Sequence, residues 1–89
     1  MQNESTVQPL NLASLSLSGI AAIVRRDWRK VYFGAVPYLS AMSGMDSVKD
    51  NYGYDSGREI VLYFLSNATT WKGEVAREVK KELNKRLKG

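Results

Sequence analysis

The stretch Ser56-Gly57-Arg58-Glu59-Ile60-Val61-Leu62-Tyr63-Phe64-Leu65-Ser66-Asn67-Ala68 decides the fold. Its centre, Ile-Val-Leu-Tyr-Phe-Leu, has the β-branched and aromatic content of a buried strand. Its start reads differently. Ser56 followed three residues later by Glu59 is a capping box, in which each side chain satisfies a backbone N–H that the first helical turn leaves unpaired. Ile60, Val61, Phe64, Leu65 and Ala68 then recur at offsets 0, 1, 4, 5 and 8, one stripe of a 3.6-residue helix. The helical reading prevails, and it makes the whole chain an all-α one.

Working outward, the neighbouring segments carry the same periodicity. Leu17, Ile20, Ala21, Val24, Trp28 and Val31 fall at offsets 0, 3, 4, 7, 11 and 14, so a helix is expected from Ser16, whose hydroxyl caps it. Gly34 interrupts this pattern. Pro37 suits the first turn of a following helix at about 35–43, which would bury Tyr38, Leu39 and Met42 and stop at Gly44. Residues 44–55 are irregular, with Asn, Asp and Gly supplying turn chemistry. After Thr70 as a cap, Trp71, Val75, Ala76, Val79, Leu83 and Leu87 form the clearest apolar stripe. The expectation is a compact bundle of about four short helices over 16–89, preceded by a flexible arm over 1–15. Trp28, Phe64 and Trp71 are its expected large core fillers.

Composition excludes more than it suggests. The chain has 89 residues, no cysteine and no histidine, and a formal charge of +4. One core is all this length accommodates. There is no thiol for a disulfide or a nucleophile, and no imidazole to ligate metal or act as a base at neutral pH. The apolar run Ile20–Val24 covers five residues, against roughly 20 needed to cross a bilayer. The first dozen residues hold Glu4 and no cation, unlike a secretory signal. A cytoplasmic protein with no membrane partner is the expectation.

Charge is uneven. Residues 25–30, Arg-Arg-Asp-Trp-Arg-Lys, carry +3, residues 46–55 carry −2, and residues 72–89 carry +4. Asp46, Asp50 and Asp55 lack the alternating spacing of a calcium loop, so turn formation is their better reading. No glycine pattern marks a phosphate loop, and no serine has a base placed by motif. Hence no enzyme activity, no metal site and no cofactor are expected.

Two contact functions remain. Arg25, Arg26, Arg29 and Lys30, with the basic C-terminal helix, offer phosphate contacts for a small DNA-binding regulator. Against that, Trp28 belongs to the apolar stripe, and Glu74, Glu78 and Glu82 interrupt the last helix. The leading alternative is protein contact. Tyr52 and Tyr54 flank Gly53 in a turn-rich loop, where tyrosines either meet a partner or lie back over the core. With Arg29, they are the candidate partner-binding residues. The C-terminal stripe serves either the monomer's core or a homodimer.

Taken together, Ser-Leu-Ser-Gly-Ile-Ala at 16–21, Asp27-Trp28, Ala-Val-Pro-Tyr-Leu-Ser-Ala-Met at 35–42, Tyr-Gly-Tyr-Asp-Ser-Gly at 52–57, Tyr-Phe-Leu-Ser-Asn-Ala at 63–68 and Trp-Lys-Gly-Glu at 71–74 resemble small uncharacterised proteins of actinobacterial phages and their hosts. The resemblance spans 16–88 and brings no catalytic or binding residues with it. It implies a context: a phage accessory protein that binds and modulates a host bacterial protein, in the host cytoplasm.

Overall fold

The computed structural model describes residues 11–89. After a 3₁₀ turn at Leu12–Ser14 come helix α1 (Leu17–Asp27), a second 3₁₀ turn at Phe33–Ala35 that runs directly into α2 (Val36–Met42), strands β1 (Asn51–Tyr52) and β2 (Asp55–Ser56), α3 (Gly57–Ser66) and α4 (Glu74–Lys88). Among the described residues the chain is thus mostly helical, with the four helices the periodicities indicate.

It is not strictly all-α, which corrects the expected class. β1 and β2 pair antiparallel, Asn51 with Ser56 and Tyr52 with Asp55. The reason is local. Gly53 takes φ +64° and Tyr54 keeps a negative φ, the arrangement of a two-residue hairpin turn with glycine first. A loop expected to be irregular therefore closes into the smallest possible ladder.

Two of the three predicted caps form. The Ser16 hydroxyl accepts from the Gly19 N–H at 3.1 Å. In the capping box, the Ser56 hydroxyl accepts from Glu59 N–H at 3.2 Å and the Glu59 carboxylate accepts from Ser56 N–H at 3.3 Å. Helix α1 has more support than its sequence announces. Leu17 N–H donates to Asp46 O at 3.0 Å and Ser18 N–H to Met45 O at 2.8 Å. With the Ser16 hydroxyl, the N–H groups of Leu17, Ser18 and Gly19, three of the four that a helix leaves orphaned at its start, have partners. The acidic loop is therefore docked on α1, with Met45 and Val48 buried beneath it. Within the loop, Asp50 does turn work: its carboxylate accepts from Asp46 N–H at 2.9 Å and Ser47 N–H at 3.1 Å.

Two helix boundaries differ from the sequence expectation. Helix α1 stops at Asp27 rather than running through Val31. Trp28 leaves the helix because its ring is held in the core between other aromatics. Likewise α4 starts at Glu74, with Gly73 (φ 109°) rather than Thr70 as its N-cap, so Trp71 sits in the connection. Each tryptophan is a corner, not a helix face.

The core joins all four helices. Leu17, Ile20, Val24, Leu39, Met42, Val61, Phe64, Val79 and Leu83 are fully enclosed. Trp28 and Trp71 stack with ring centroids 5.7 Å apart and planes 10° from parallel. Phe64 meets both edge-on, at 6.3 and 6.4 Å. Trp71 Nε1–H donates to Asp27 Oδ2 at 2.9 Å, which satisfies the indole's single donor. The apolar stripe of α4 lies inside this core: Ala76, Val79, Leu83 and Leu87 are all buried.

The expected arm over 1–15 falls outside the described residues for positions 1–10. Of positions 11–15, Leu12 anchors the segment: it is 5% exposed and its carbonyl accepts from Arg86 Nη2 at 2.7 Å.

Gly57 shows why the loop-to-helix junction admits no side chain. A Cβ there would sit 2.7 Å from Val48 O and 2.8 Å from Ser47 O, both backbone atoms. Gly57→Ala is expected to cost about 1–3 kcal/mol through this overpacking. Trp71→Ala is expected to cost about 3–5 kcal/mol, a large share of the stability of so small a domain. Trp71→Phe, which keeps an aromatic but loses the bond to Asp27, should cost about 1–3 kcal/mol. Urea denaturation followed by circular dichroism measures all three.

Candidate functional site

The sequence candidates separate in space. Tyr52 and Tyr54 sit on the hairpin, Tyr54 with its side chain wholly in solvent at 107% relative exposure. That decides one open question: Tyr54 does not cover the core. The hairpin projects by virtue of its tight turn, and the two tyrosines share no ring contact with other aromatics among the described residues.

Arg29 is exposed and follows the corner at Trp28. Arg25, Arg26 and Lys30 are also exposed. Arg25 Nη2 reaches Ser40 Oγ of α2 at 3.3 Å. No carboxylate lies within 4 Å of these four cations among the described residues; the ion pair found there is Arg86–Glu82 at 2.7 Å. Asp27, which interrupts the cluster, is engaged by Trp71.

The basic residues at the end of α4 form no continuation of that cluster. The Trp71–Asp27 bond places the start of α4 at the end of α1, whereas Arg86 on Leu12 places the end of α4 beside the start of α1. The two helices are antiparallel neighbours, so Lys85, Arg86 and Lys88 lie a helix length, roughly 16 Å, from residues 25–30. Two of the α4 cations also have internal duties. Arg86 clamps Glu82 and the Leu12 carbonyl. Lys80 donates to Trp71 O at 2.7 Å and lies 5.9 Å from the Trp71 ring centre. Burial, and secondarily the neighbouring Lys72 ammonium, lower the Lys80 pKa from its ordinary value.

The most prominent surface feature is one the sequence reading did not single out. Phe33 is 79% exposed, and its ring lies 4.9 Å from that of Tyr32, itself 44% exposed. The Tyr32 ring folds back over Gly34, where a Cβ would meet both Tyr32 Cε2 and Asn67 Oδ1. Asn67 caps α3 one turn after Tyr63, and its side-chain amide donates to Tyr63 O at 2.8 Å. Tyr63, 45% exposed, packs 5.3 Å from the half-buried Tyr38 of α2. Gly34 opposite Asn67 and Tyr38 opposite Tyr63 make α2 and α3 an antiparallel pair whose seam is roofed by tyrosine. On the outer face of the same helical run, Phe33, Val36 and Ser40 succeed one another at helical spacing, ending at the Arg25 guanidinium.

Tyr32 and Phe33, in ring contact, thus form an exposed apolar surface, with Val36 on its outer side and Tyr63 one turn along α3 from the Asn67 that Tyr32 faces across Gly34. With about 200 Å² per aromatic side chain, it amounts to roughly 400 Å², the size at which exposed patches are often functional. A signal for it existed. Tyr32 and Phe33 fall between the stripe that ends at Val31 and the helix that buries Leu39 and Met42, so neither stripe includes them. Leu62 and Tyr63 are likewise the positions that fall off the Ile60–Ala68 stripe.

No helix is long and apolar enough to cross a membrane, and no group of three or more Asp or Glu is placed to hold a metal, among the described residues. No protein-family model, curated protein or solved structure matches the chain. What the fold and surface define is a small helical domain whose chief exposed asset is an aromatic seam.

Since Phe33 and Tyr54 contribute little to the core, Phe33→Ala and Tyr54→Ala are each expected to change stability by no more than about 0.5 kcal/mol. Thermal melts of the two variants beside the parent check this.

Proposed function

We propose that this protein is a non-enzymatic interaction module that recognises a partner protein through the Tyr32–Phe33–Tyr63 surface. The observation that carries the reading is the exposure of Phe33, a large apolar ring held out on a helical turn beside two further half-exposed aromatics. Leaving such a ring in water forgoes about 1.5–3 kcal/mol of burial, which a contacting partner recovers. Rings of this kind, central in an apolar patch and rimmed by charge, are where binding energy concentrates. Tyr52 and Tyr54 on the hairpin remain part of the proposal as a second contact point. The resemblance over 16–88 suggests the setting: a phage or prophage accessory protein acting on a host protein in the bacterial cytoplasm.

A DNA-binding regulator using Arg25, Arg26, Arg29 and Lys30 is less well supported. The Lys85–Lys88 end of its second basic element is at the far end of α1, and Lys80 and Arg86 are engaged within the domain. A homodimer built on the C-terminal stripe is also less favoured, because that stripe is buried in the monomer's own core.

The test is co-precipitation from bacterial lysate with the parent chain, Phe33→Ala and Tyr54→Ala in parallel. A specific protein retained by the parent and lost with Phe33→Ala, with both chains equally folded, is the expected result. Identical recoveries from parent and Phe33→Ala would count against the reading. Affinity for duplex DNA that falls steeply with salt would favour the regulator instead.

A further inference from the structure

The geometry points to an acidic, apolar peptide segment as the ligand of the Tyr32–Phe33–Tyr63 surface, an inference that rests on the interaction-module reading above and specifies its partner. The surface has two halves of different chemistry. Its centre is apolar: Phe33 stands almost free with Tyr32 packed against it, Val36 follows one turn on, and Tyr63 lies one α3 turn from the Asn67 that Tyr32 faces. Its rim on the α1 side is cationic. Arg29 and Lys30 precede Tyr32 by three and two residues, so their backbone lies within about 10 Å of it. Arg25 reaches the same rim from α1, its guanidinium resting on Ser40 at the end of the Phe33–Val36–Ser40 row.

These three cations outnumber the one carboxylate beside them in sequence, Asp27. None has a carboxylate within 4 Å among the described residues, and the carboxylate nearest in sequence, Asp27, is bound to the Trp71 indole. The nearest acid on α3 is Glu59, one turn before Tyr63, and its carboxylate is held in the capping box. A ligand that buries Phe33 thus meets net positive charge on one side, with no ion-pairing acid there among the described residues. Carboxylates on the ligand match that side, and large apolar side chains match the centre.

Charge also sorts the other occupants. A second copy of this chain docking by the same surface would bring Arg29 and Lys30 against cations of its own kind, or leave them unpaired. Single-stranded nucleic acid uses aromatic faces and cations too, but needs charge along a track that follows its backbone. Here the cations occupy one rim and the opposite rim ends at Glu59. The ring faces are also partly taken: Tyr32 and Phe33 pack against each other at 56°, and Tyr38 and Tyr63 at 48°. Val36 adds aliphatic surface that stacks no base. A peptide carrying carboxylates beside an apolar anchor uses all of these features.

The experiment is affinity selection of a random dodecapeptide display library on the full chain at about 0.15 M ionic strength, where only close charge pairs persist. The expected selected peptides combine Asp or Glu with Leu, Phe or Trp. A synthetic copy of the strongest should bind the parent and weaken about tenfold or more with Phe33→Ala. The double variant R29E/K30E should weaken the same peptide several-fold and, in a fresh selection, enrich Lys- and Arg-bearing peptides instead. All three positions are exposed, and circular dichroism melts confirm that the variants fold.

Selected peptides that are neutral or basic, yet lost with Phe33→Ala, would overturn the acidic ligand while leaving the interaction surface intact. Peptides indifferent to Phe33→Ala, or no selection at all, would overturn both. Competition of the peptide by an oligothymidylate of about 20 nucleotides would assign the surface to nucleic acid, and a dimer that dissociates with Phe33→Ala would assign it to a second copy; either result overturns the proposal.

Discussion

The stacking of Trp71 on Trp28 is the contact from which the rest of this structure follows. The two indoles lie nearly parallel, with Phe64 edge-on to both, so the end of α1, the middle of α3 and the approach to α4 meet at one point. Aromatic packing of this kind adds to the large areas the rings already remove from water. It also sets the helix lengths. Trp28 turns inward only because α1 ends at Asp27, and that ending frees the Asp27 carboxylate to accept from the Trp71 indole. Lys80 then closes the corner from α4 by taking the Trp71 carbonyl.

A consequence of that corner is the exposed segment that follows it. Once α1 has ended, the chain must cross from Trp28 to α2, and it does so through Arg29-Lys30-Val31-Tyr32-Phe33. The cations and the two aromatics are thereby delivered together to one side of the α2–α3 pair. The opposite end of the domain is built quite differently. There Arg86, Glu82 and the Leu12 carbonyl form a closed polar clamp, and the 45–50 loop seals the start of α1 with its own carbonyls. One end of the molecule is internally satisfied, and the other presents unsatisfied charge and apolar surface.

Much of the fold was legible in the residues. Both side-chain caps, the four helices and the three large core aromatics follow from short-range rules, because a cap or a stripe is written within four residues of itself. The hairpin was missed: a two-residue strand pair has too short a pattern to register, even though Gly53 marked its turn. The boundaries of α1 and α4 were drawn too generously for a related reason. Trp28 and Trp71 sit in phase with their stripes, and periodicity cannot tell a buried residue on a helix from a buried residue just beyond it.

For the candidate site the division is sharper. The sequence by itself determined which groups were available: no thiol, no imidazole, two basic stretches, and tyrosines in a turn. It also determined which residues must be buried, since apolar periodicity is a statement about one face of one helix. Only the tertiary structure decided what stays outside and beside what. Tyr38 and Tyr63 are 25 positions apart and become neighbours because α2 and α3 pack antiparallel, which also sets Tyr32 against Asn67 across Gly34. The basic cluster at 25–30 and the Lys85–Lys88 end of the second basic stretch, which the sequence left free to form one face, are parted by the antiparallel pairing of α1 with α4. Surface composition is a sum over distant segments, and no local pattern encodes that sum.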